Sequence, residues 1–364
     1  MTVNYDIVLS SPFPNYDFFA HRMREFCGQL NLTFFPADKV WVNVFLEKLK
    51  EKEICVRVLL DLSNNQTEPE DPFLMLAEEV KKQGGYVIDD PAITSKVAHK
   101  GYFHQIMLEN NILVPETIVV SRKEIDSFRV TEEVKDIVGT PFVVKPAWGD
   151  SSMGVILNCT SHYDLYKSAE QSPGSDAFLV QRQVKPKVLG NYMGWFRMFH
   201  IINEVIPCWW SPTSHEYHLV SPAQSKTYKL GSLVRIVREI ARVSKMKFFT
   251  SEICLDEDGH FYTVDYINAD PDMNPRSFYT TGVPDEVVRH IVWILVNEAM
   301  RHVMKGRGYF DAGLDGSELD FRVHQVEERK PRKSAVKAPV RKTKKKIKAE
   351  VVDEAEVEDN LLEL

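Results

Sequence analysis

Through the first ninety residues short apolar runs alternate with segments of helical period, and this alternation limits the fold more than any other feature of the chain. Tyr5–Leu9, Leu32–Phe35, Cys55–Leu60 and Tyr86–Ile88 read as strands. Phe18–Leu30, Val42–Lys52 and Pro72–Gln83 read as helices, the last closed by Gly84 and Gly85. Strands joined through helices lie parallel, so the segment predicts a small βαβα lobe around a parallel sheet. No Gly-x-Gly-x-x-Gly follows its first strand, which leaves a dinucleotide site there unsupported and a docking role as the expectation.

The rest of the chain is richer in strands. A helix over Lys100–Asn110 leads through Pro115 to a strand at Thr117–Val120, and further strands are expected from Phe142, at Phe178–Gln181 and at Trp195–Ile202. Leu233, Val234, Val237, Ile240 and Ala241 recur at helical spacing within Gly231–Lys245. Strands at Phe248–Leu255 and Phe261–Ile267 flank Asp256–Gly259, whose Asp/Gly chemistry suits a hairpin turn. Asp285 opens a last helix with Val287, Val288, Ile291, Ile294 and Leu295 on one face.

Composition sets limits on function. At 364 residues and 44% hydrophobic the chain can bury several cores, and a net charge of −7 gives no overall positive field to draw it onto nucleic acid or an anionic membrane. The five cysteines are scattered with no Cys-x-x-Cys, which argues against disulfides and zinc and fits a reducing cytoplasm. The first twenty residues lack a basic start and apolar run, and no stretch reaches the ~18 apolar residues that span a bilayer, so a soluble, unexported protein is expected. Beyond Glu327, residues 329–348 are crowded with Lys and Arg and 350–363 with Asp and Glu, without aromatics. This composition predicts a disordered tail over 329–364, a solvated appendage open to a partner rather than a dedicated nucleic-acid arm, because the acidic block screens the basic one.

The segment with most chemistry is Pro141–Gly154, where an apolar strand ends in Lys145-Pro146 and continues into Gly149-Asp150-Ser151-Ser152-Met153-Gly154. An ammonium followed by a flexible loop of backbone N–H groups and hydroxyls can wrap phosphate oxygens. It is not a Walker A loop, since the lysine precedes the glycines. Carboxylates on the adjacent strands of a hairpin, Glu252 and Asp265, can face each other with the Asn268 amide as a hard-oxygen site for Mg2+. Asp265 and Asn268 are three apart, so sharing one face requires a bulge after Asp265; Asp270 and Asp272 are rival ligands, and a strand-end cap is the plainer use of Asp265 and Asn268.

Val143-Val144-Lys145-Pro146 with Gly149–Gly154 resembles the ATP-grasp signature of D-alanine ligase-like and glutamate ligase-like carboxylate-amine ligases. The resemblance covers about 90–300 and implies a nucleotide set comprising Lys145, Gly149, Ser151, Ser152, Met153, Gly154 and Lys100, with Lys96 as the alternative to Lys100. It implies an adenine hinge at Gln181-Arg182-Gln183-Val184, with Gln181 where the family commonly has glutamate. It implies Glu252, Asp265 and Asn268 as Mg2+ ligands and Arg197 facing phosphates or substrate; Arg276, just after the acidic cluster, is a candidate clamp for a carboxylate or the γ-phosphate. Trp209-Trp210 and His215–His218 are candidates for an acceptor pocket, although apolar packing is the expected role of the tryptophans. The implied architecture is α/β: an N-terminal lobe at 1–92, an ATP-grasp domain of two sheet-bearing lobes at 93–310, and the tail. The implied activity is Mg-ATP-dependent activation of a small-molecule or peptide carboxylate as an acyl phosphate for attack by an amine. An ATP-grasp kinase and a non-catalytic nucleotide-binding protein remain as alternatives.

Overall fold

The computed structural model of the chain describes residues 2–12, 17–63, 70–149 and 152–306. The charged tail expected over 329–364 and the loop serine Ser151 lie outside these residues.

The first lobe runs β1 (Val3–Ser10), α1 (Asp17–Gln29), β2 (Phe34–Ala37), α2 (Val42–Lys50), β3 (Ile54–Asp61), α3 (Pro72–Lys82) and β4 (Tyr86–Ile88). Its sheet has the order β2-β1-β3-β4 with every pair parallel, as the alternating pattern requires. Ile7, Val8 and Leu9 in β1 and Val58, Leu59 and Leu60 in β3 are buried on both faces, which explains their unbroken apolar runs. β2 starts at Phe34 rather than Leu32, because Thr33 exchanges side-chain and backbone hydrogen bonds with Asp6 (2.8 and 3.0 Å). Pro36 is tolerated in β2 because that strand is an edge. Asp71 accepts from Phe73 N and Leu74 N and, with Pro72 in the first turn, starts α3.

Helices α4 (Pro91–Ala98) and α5 (Lys100–Glu109) lead to the second lobe: β5 (Thr117–Ser121), α6 (Glu132–Val138), β6 (Phe142–Pro146), β7 (Ile156–Cys159), α7 (Tyr163–Gln171) and β8 (Ala177–Arg182). Its strands form an antiparallel sheet of order β5-β8-β6-β7. A small ribbon of β9 (Val188–Leu189) and β10 (Tyr192–Met193) precedes the third lobe. That lobe comprises β11 (Trp195–Ile201), β12 (Glu204–Trp210), β13 (Tyr217–Leu219), α8 (Pro222–Thr227), α9 (Gly231–Ser244), β14 (Phe248–Leu255), β15 (Phe261–Asn268) and α10 (Asp285–Gly306). Its five strands are antiparallel in the order β13-β12-β11-β14-β15.

The two faces of the five-stranded sheet have different partners. One packs Phe196, Met198, Phe249 and Ile253 against Leu233, Val237 and Ile240 of α9. The other packs Phe199, Ile201 and Phe248 against Val288, Ile291, Val292 and Leu295 of α10, in one core with Ile7, Leu9, Val58 and Leu60 of the first lobe. α10 therefore joins the parallel sheet to the sheet that carries the acidic residues.

A polar tie runs beside this apolar one. Asp89, just after β4, accepts from Lys247 N (2.5 Å) and Phe248 N (2.8 Å) at the start of β14. Burial pushes its carboxyl up from 3.8 to about 7, against the two amide donors, which pull it down. A folded-state pKa above the unfolded one favours the protonated form in the fold. The associated stability is complete below about pH 4 and is lost as pH rises through about 7. Urea unfolding is therefore expected to give lower stability at pH 8 than at pH 5, with at most about 4 kcal/mol from Asp89. Asp89→Asn should flatten that slope, and an unchanged slope would contradict the assignment.

Candidate functional site

The register of β11, β14 and β15 sets Arg197 opposite Glu252 and Glu252 opposite Asp265. Residues directly opposite on antiparallel strands share a face, so these three form one row across the sheet. The neighbouring rows are Trp195, Cys254 and Tyr262 on one side and Phe199, Thr250 and Asn268 on the other. From Thr250 to Glu252 two steps of β14 are matched by three steps of β15, from Asn268 to Asp265. This is the bulge that the Asp265–Asn268 spacing demands, and it brings Asn268 to the face of Asp265. Asn268 Oδ1 also accepts from Asp270 N (3.2 Å) and Asp272 Oδ1 from Asn274 N (2.9 Å), so the rival aspartates belong to the turn beyond β15. Burial raises the Asp272 carboxyl, with Arg197 acting in the opposite sense.

The row is nearly closed to solvent. Arg197 Nη2 lies 3.0 Å from Glu252 Oε1, with side chains 13% and 15% exposed. Trp195 Nε1 donates to the other oxygen, Glu252 Oε2, at 2.9 Å. The Arg197 guanidinium also stacks over the Trp210 ring at 4.9 Å. Burial pulls the Arg197 pKa down, but Glu252, Tyr217, Asp265 and Asp272 together outweigh it and hold the guanidinium charged. The Asp265 carboxylate makes no hydrogen bond or ion pair among the described residues.

Lys145, at the end of β6, crosses from the second lobe and donates to the carbonyl of Val264 at 2.7 Å. Burial lowers its pKa, while Asp265 and Glu252 raise it and Lys100 adds to the lowering. Lys100 Nζ donates to Gly149 O at 2.5 Å, and its backbone N–H donates to Ala147 O at 2.9 Å. Lys100 thus meets the loop while Lys145 reaches β15, whereas Lys96 is exposed on α4 without a hydrogen bond or ion pair among the described residues. Gly149 and Gly154 have φ of +145° and +72°, and Ser152 has +59°. A Cβ on Gly154 would lie 2.0 Å from Ser172 Oγ, and Ser168 Oγ donates to Gly154 O at 2.6 Å, so the far end of the loop is riveted to α7. Met153 projects from it, 61% exposed.

At the expected hinge the Gln181 side chain turns inward. Gln181 is buried, and its Nε2 donates to Thr117 Oγ1 (2.9 Å) and Tyr266 Oη (3.1 Å), while Tyr266 Oη lies 2.6 Å from His104 Nδ1. Its backbone is paired on both sides, with Thr117 and Val143. The side chain is thus engaged inside the protein. Val184 forms a small apolar cluster with Cys254, Tyr262 and Val264, with Trp195 packed against it. Arg182 stacks over Tyr262 at 4.6 Å and pairs with Glu116.

Arg276 is half-buried in the loop after β15, near enough to Cys208, the register partner of Arg197, to bear on its thiol. Trp209 is buried toward α9 and Trp210 on the Arg197 side, in keeping with the packing role expected of both. His215 and His218 are exposed. Trp195, Tyr262 and Cys254 were missed by the motif reading. Strand alternation from Arg197 and Glu252 is the signal that points to Trp195 and Cys254. Asp256, Asp258 and His260 have ligand atoms within 4.8 Å of one another in the β14–β15 turn, where Asp256 accepts from His260 N at 2.7 Å as a turn residue does.

No family model and no curated sequence matches the chain. Solved structures do. D-alanine–D-alanine ligase from Bacillus anthracis complexed with ATP superposes with a TM-score of 0.57 at 11% identity, over 85% of this chain and 100% of the other. The ATP-grasp ligase PsnB, complexed with the precursor peptide PsnA2 and AMPPNP, gives 0.55 at 12% identity over 83% and 99%. D-alanine–D-alanine ligase from Coxiella burnetii gives 0.55 at 11% over 86% and 99%. The chain has the ATP-grasp fold. Among the described residues no helix is long and apolar enough to cross a membrane.

Removing the Gln181 side chain tests the hinge assignment. Gln181→Ala leaves buried Thr117 and Tyr266 groups short of a partner, and a loss of about 2 kcal/mol in urea unfolding is expected. Calorimetry should find ATP affinity within about twofold of wild type, since the side chain faces inward. A large loss of affinity without loss of stability would return Gln181 to the ligand.

Proposed function

We propose that the protein is a Mg-ATP-dependent ligase that activates a carboxylate as an acyl phosphate for attack by an amine or similar nucleophile. The observation that carries this reading is the row Arg197–Glu252–Asp265, with Asn268 brought alongside by the bulge and Lys145 reaching it from the facing lobe. The donor set fits a hard divalent cation: two carboxylates and an amide oxygen, with Asp265 not engaged in an ion pair among the described residues. The nucleotide fits as well, since Lys100 reaches the loop, Lys145 lies close enough to feel the Lys100 charge, and a desolvated ammonium gains most from an anionic ligand.

In this reading Lys100, Lys145 and the N–H groups of Gly149–Gly154 hold the phosphates, and the chain at Val184 with Cys254, Tyr262 and Val264 holds the base. Glu252, Asp265 and Asn268 would hold Mg2+, which would supply neutralisation of phosphate charge. Arg197 and Arg276 orient the acceptor carboxylate and steady the charge that develops during phosphoryl transfer. No side-chain nucleophile is needed. The similar structures carrying a precursor peptide, or named for a dipeptide-forming ligase, support amino acids or peptides as the substrate class. All five cysteines are unpaired, which suits the cytoplasmic location that belongs to this proposal.

One observation favours a non-catalytic reading. Both oxygens of Glu252 are already engaged, by Arg197 and Trp195. ADP release with candidate amino acids and peptides separates the two: a ligase releases ADP only with its acceptor pair, and a binding protein releases none.

Two substitutions sharpen the test. Lys145→Ala should weaken ATP binding by roughly 10- to 100-fold in calorimetry, the range of a charge-assisted contact, while the variant still folds. Unchanged ATP affinity would remove Lys145 from the site. Asp265→Asn should lower Mg2+-dependent ADP release about 100-fold or more while ATP affinity falls less than about fivefold, since transition-state charge needs the metal more than docking does. Equal losses in both would argue against a metal role.

A further inference from the structure

The Arg197–Glu252 pair lacks its usual geometry. A guanidinium beside a carboxylate commonly uses two parallel N–H groups, one for each oxygen. Here Arg197 reaches only Oε1, through Nη2, and its Nε is buried without a partner among the described residues. The second oxygen is taken by the indole N–H of Trp195 instead. An indole nitrogen donates and never accepts, so this contact is formed only with a carboxylate oxygen turned toward it.

We propose that Trp195 is a positioning residue for the metal: its Nε1–H fixes the rotation of the Glu252 carboxylate and thereby sets the affinity of the Glu252–Asp265–Asn268 site. This role rests on the nucleotide-site reading above. A glutamate side chain loses about 1–2 kcal/mol of rotamer freedom when it is ordered, and a ligand fixed beforehand does not lose it again on binding. Arg197 alone leaves Oε2 free to swing; Trp195 removes that freedom. A carboxylate oxygen has more than one acceptor site, so the indole bond leaves room for a cation at the same group. The ring has a second place in the site, because it packs against Val184, Cys254, Tyr262 and Val264 at the hinge. One side chain therefore borders both the base cluster and the metal row. The two roles separate chemically, since the ring packs and the N–H orients.

Trp195→Phe keeps an aromatic ring and deletes the N–H. Nucleotide affinity without metal is measured by calorimetry with a non-hydrolysable ATP analogue, and Mn2+ affinity by paramagnetic resonance on the analogue-saturated protein. The expected result is Mn2+ affinity about tenfold weaker, the usual cost of losing an outer-shell hydrogen bond to a ligand, and a smaller loss of metal-free nucleotide affinity, to which the ring contributes packing alone. Trp195→Tyr, compared in the same way, serves if the first variant does not fold. Wild-type Mn2+ affinity with the N–H gone overturns the role of Trp195 and leaves the nucleotide site standing. A wild-type protein that binds the analogue but no Mn2+, or binds neither, overturns the metal site and this inference together.

Discussion

Two carboxylates side by side on a half-buried sheet face are unstable unless cations meet them. Glu252 and Asp265 occupy that position, and the fold brings two cations to them from different directions: Arg197 along the same row and Lys145 from the other lobe. The pairing is uneven. Arg197 is bonded to Glu252, while Lys145 is bonded to a backbone carbonyl and feels Asp265 only through space. Neither balance is complete: burial lowers the Lys145 pKa, and the Asp265 carboxylate makes no hydrogen bond or ion pair among the described residues.

This arrangement depends on elements far from it. β14 carries Glu252, and its first residue is held by Asp89 of the first lobe while its flank is packed by α10, which shares a core with β1 and β3. The parallel lobe, which has no nucleotide fingerprint of its own, thereby fixes the strand on which the charged row is built. The hinge is fixed in the same manner. Gln181, Tyr266, Thr117 and His104 link β8, β15, β5 and α5 through buried hydrogen bonds, so both lobes that flank the row are tied to each other beneath it.

Most of the fold was legible in the sequence, because it rests on local periodicity. The parallel lobe, α9 and the hairpin of β14 and β15 each follow from apolar spacing that tertiary packing leaves intact. The bulge was legible for a stricter reason: a three-residue spacing between groups that must share a face admits no regular strand. Which partner a side chain chooses was not legible. Gln181 meets Tyr266 and Trp195 meets Glu252 across 85 and 57 positions of sequence, and nothing local marks either encounter. The hydrogen bond from Lys100 to the loop carbonyl at Gly149, 49 positions away, was likewise not legible.

The order of the two carboxylates bears on how the site is held. The longer side chain, Glu252, comes from a strand with neighbours on both sides, and the shorter, Asp265, from the edge strand. A long side chain has more rotamers to lose, so it needs more partners to stay in one place. The interior strand supplies them, because Trp195 and Arg197 lie two apart on the adjacent β11 and both face Glu252. The edge strand has no such neighbour beyond it, and there a short side chain with few rotamers suffices. Preorganisation in this sheet is thus divided by position: a hydrogen bond from Trp195 and an ion pair with Arg197 hold the flexible acid in the interior, and the acid at the edge has fewer rotamers to lose.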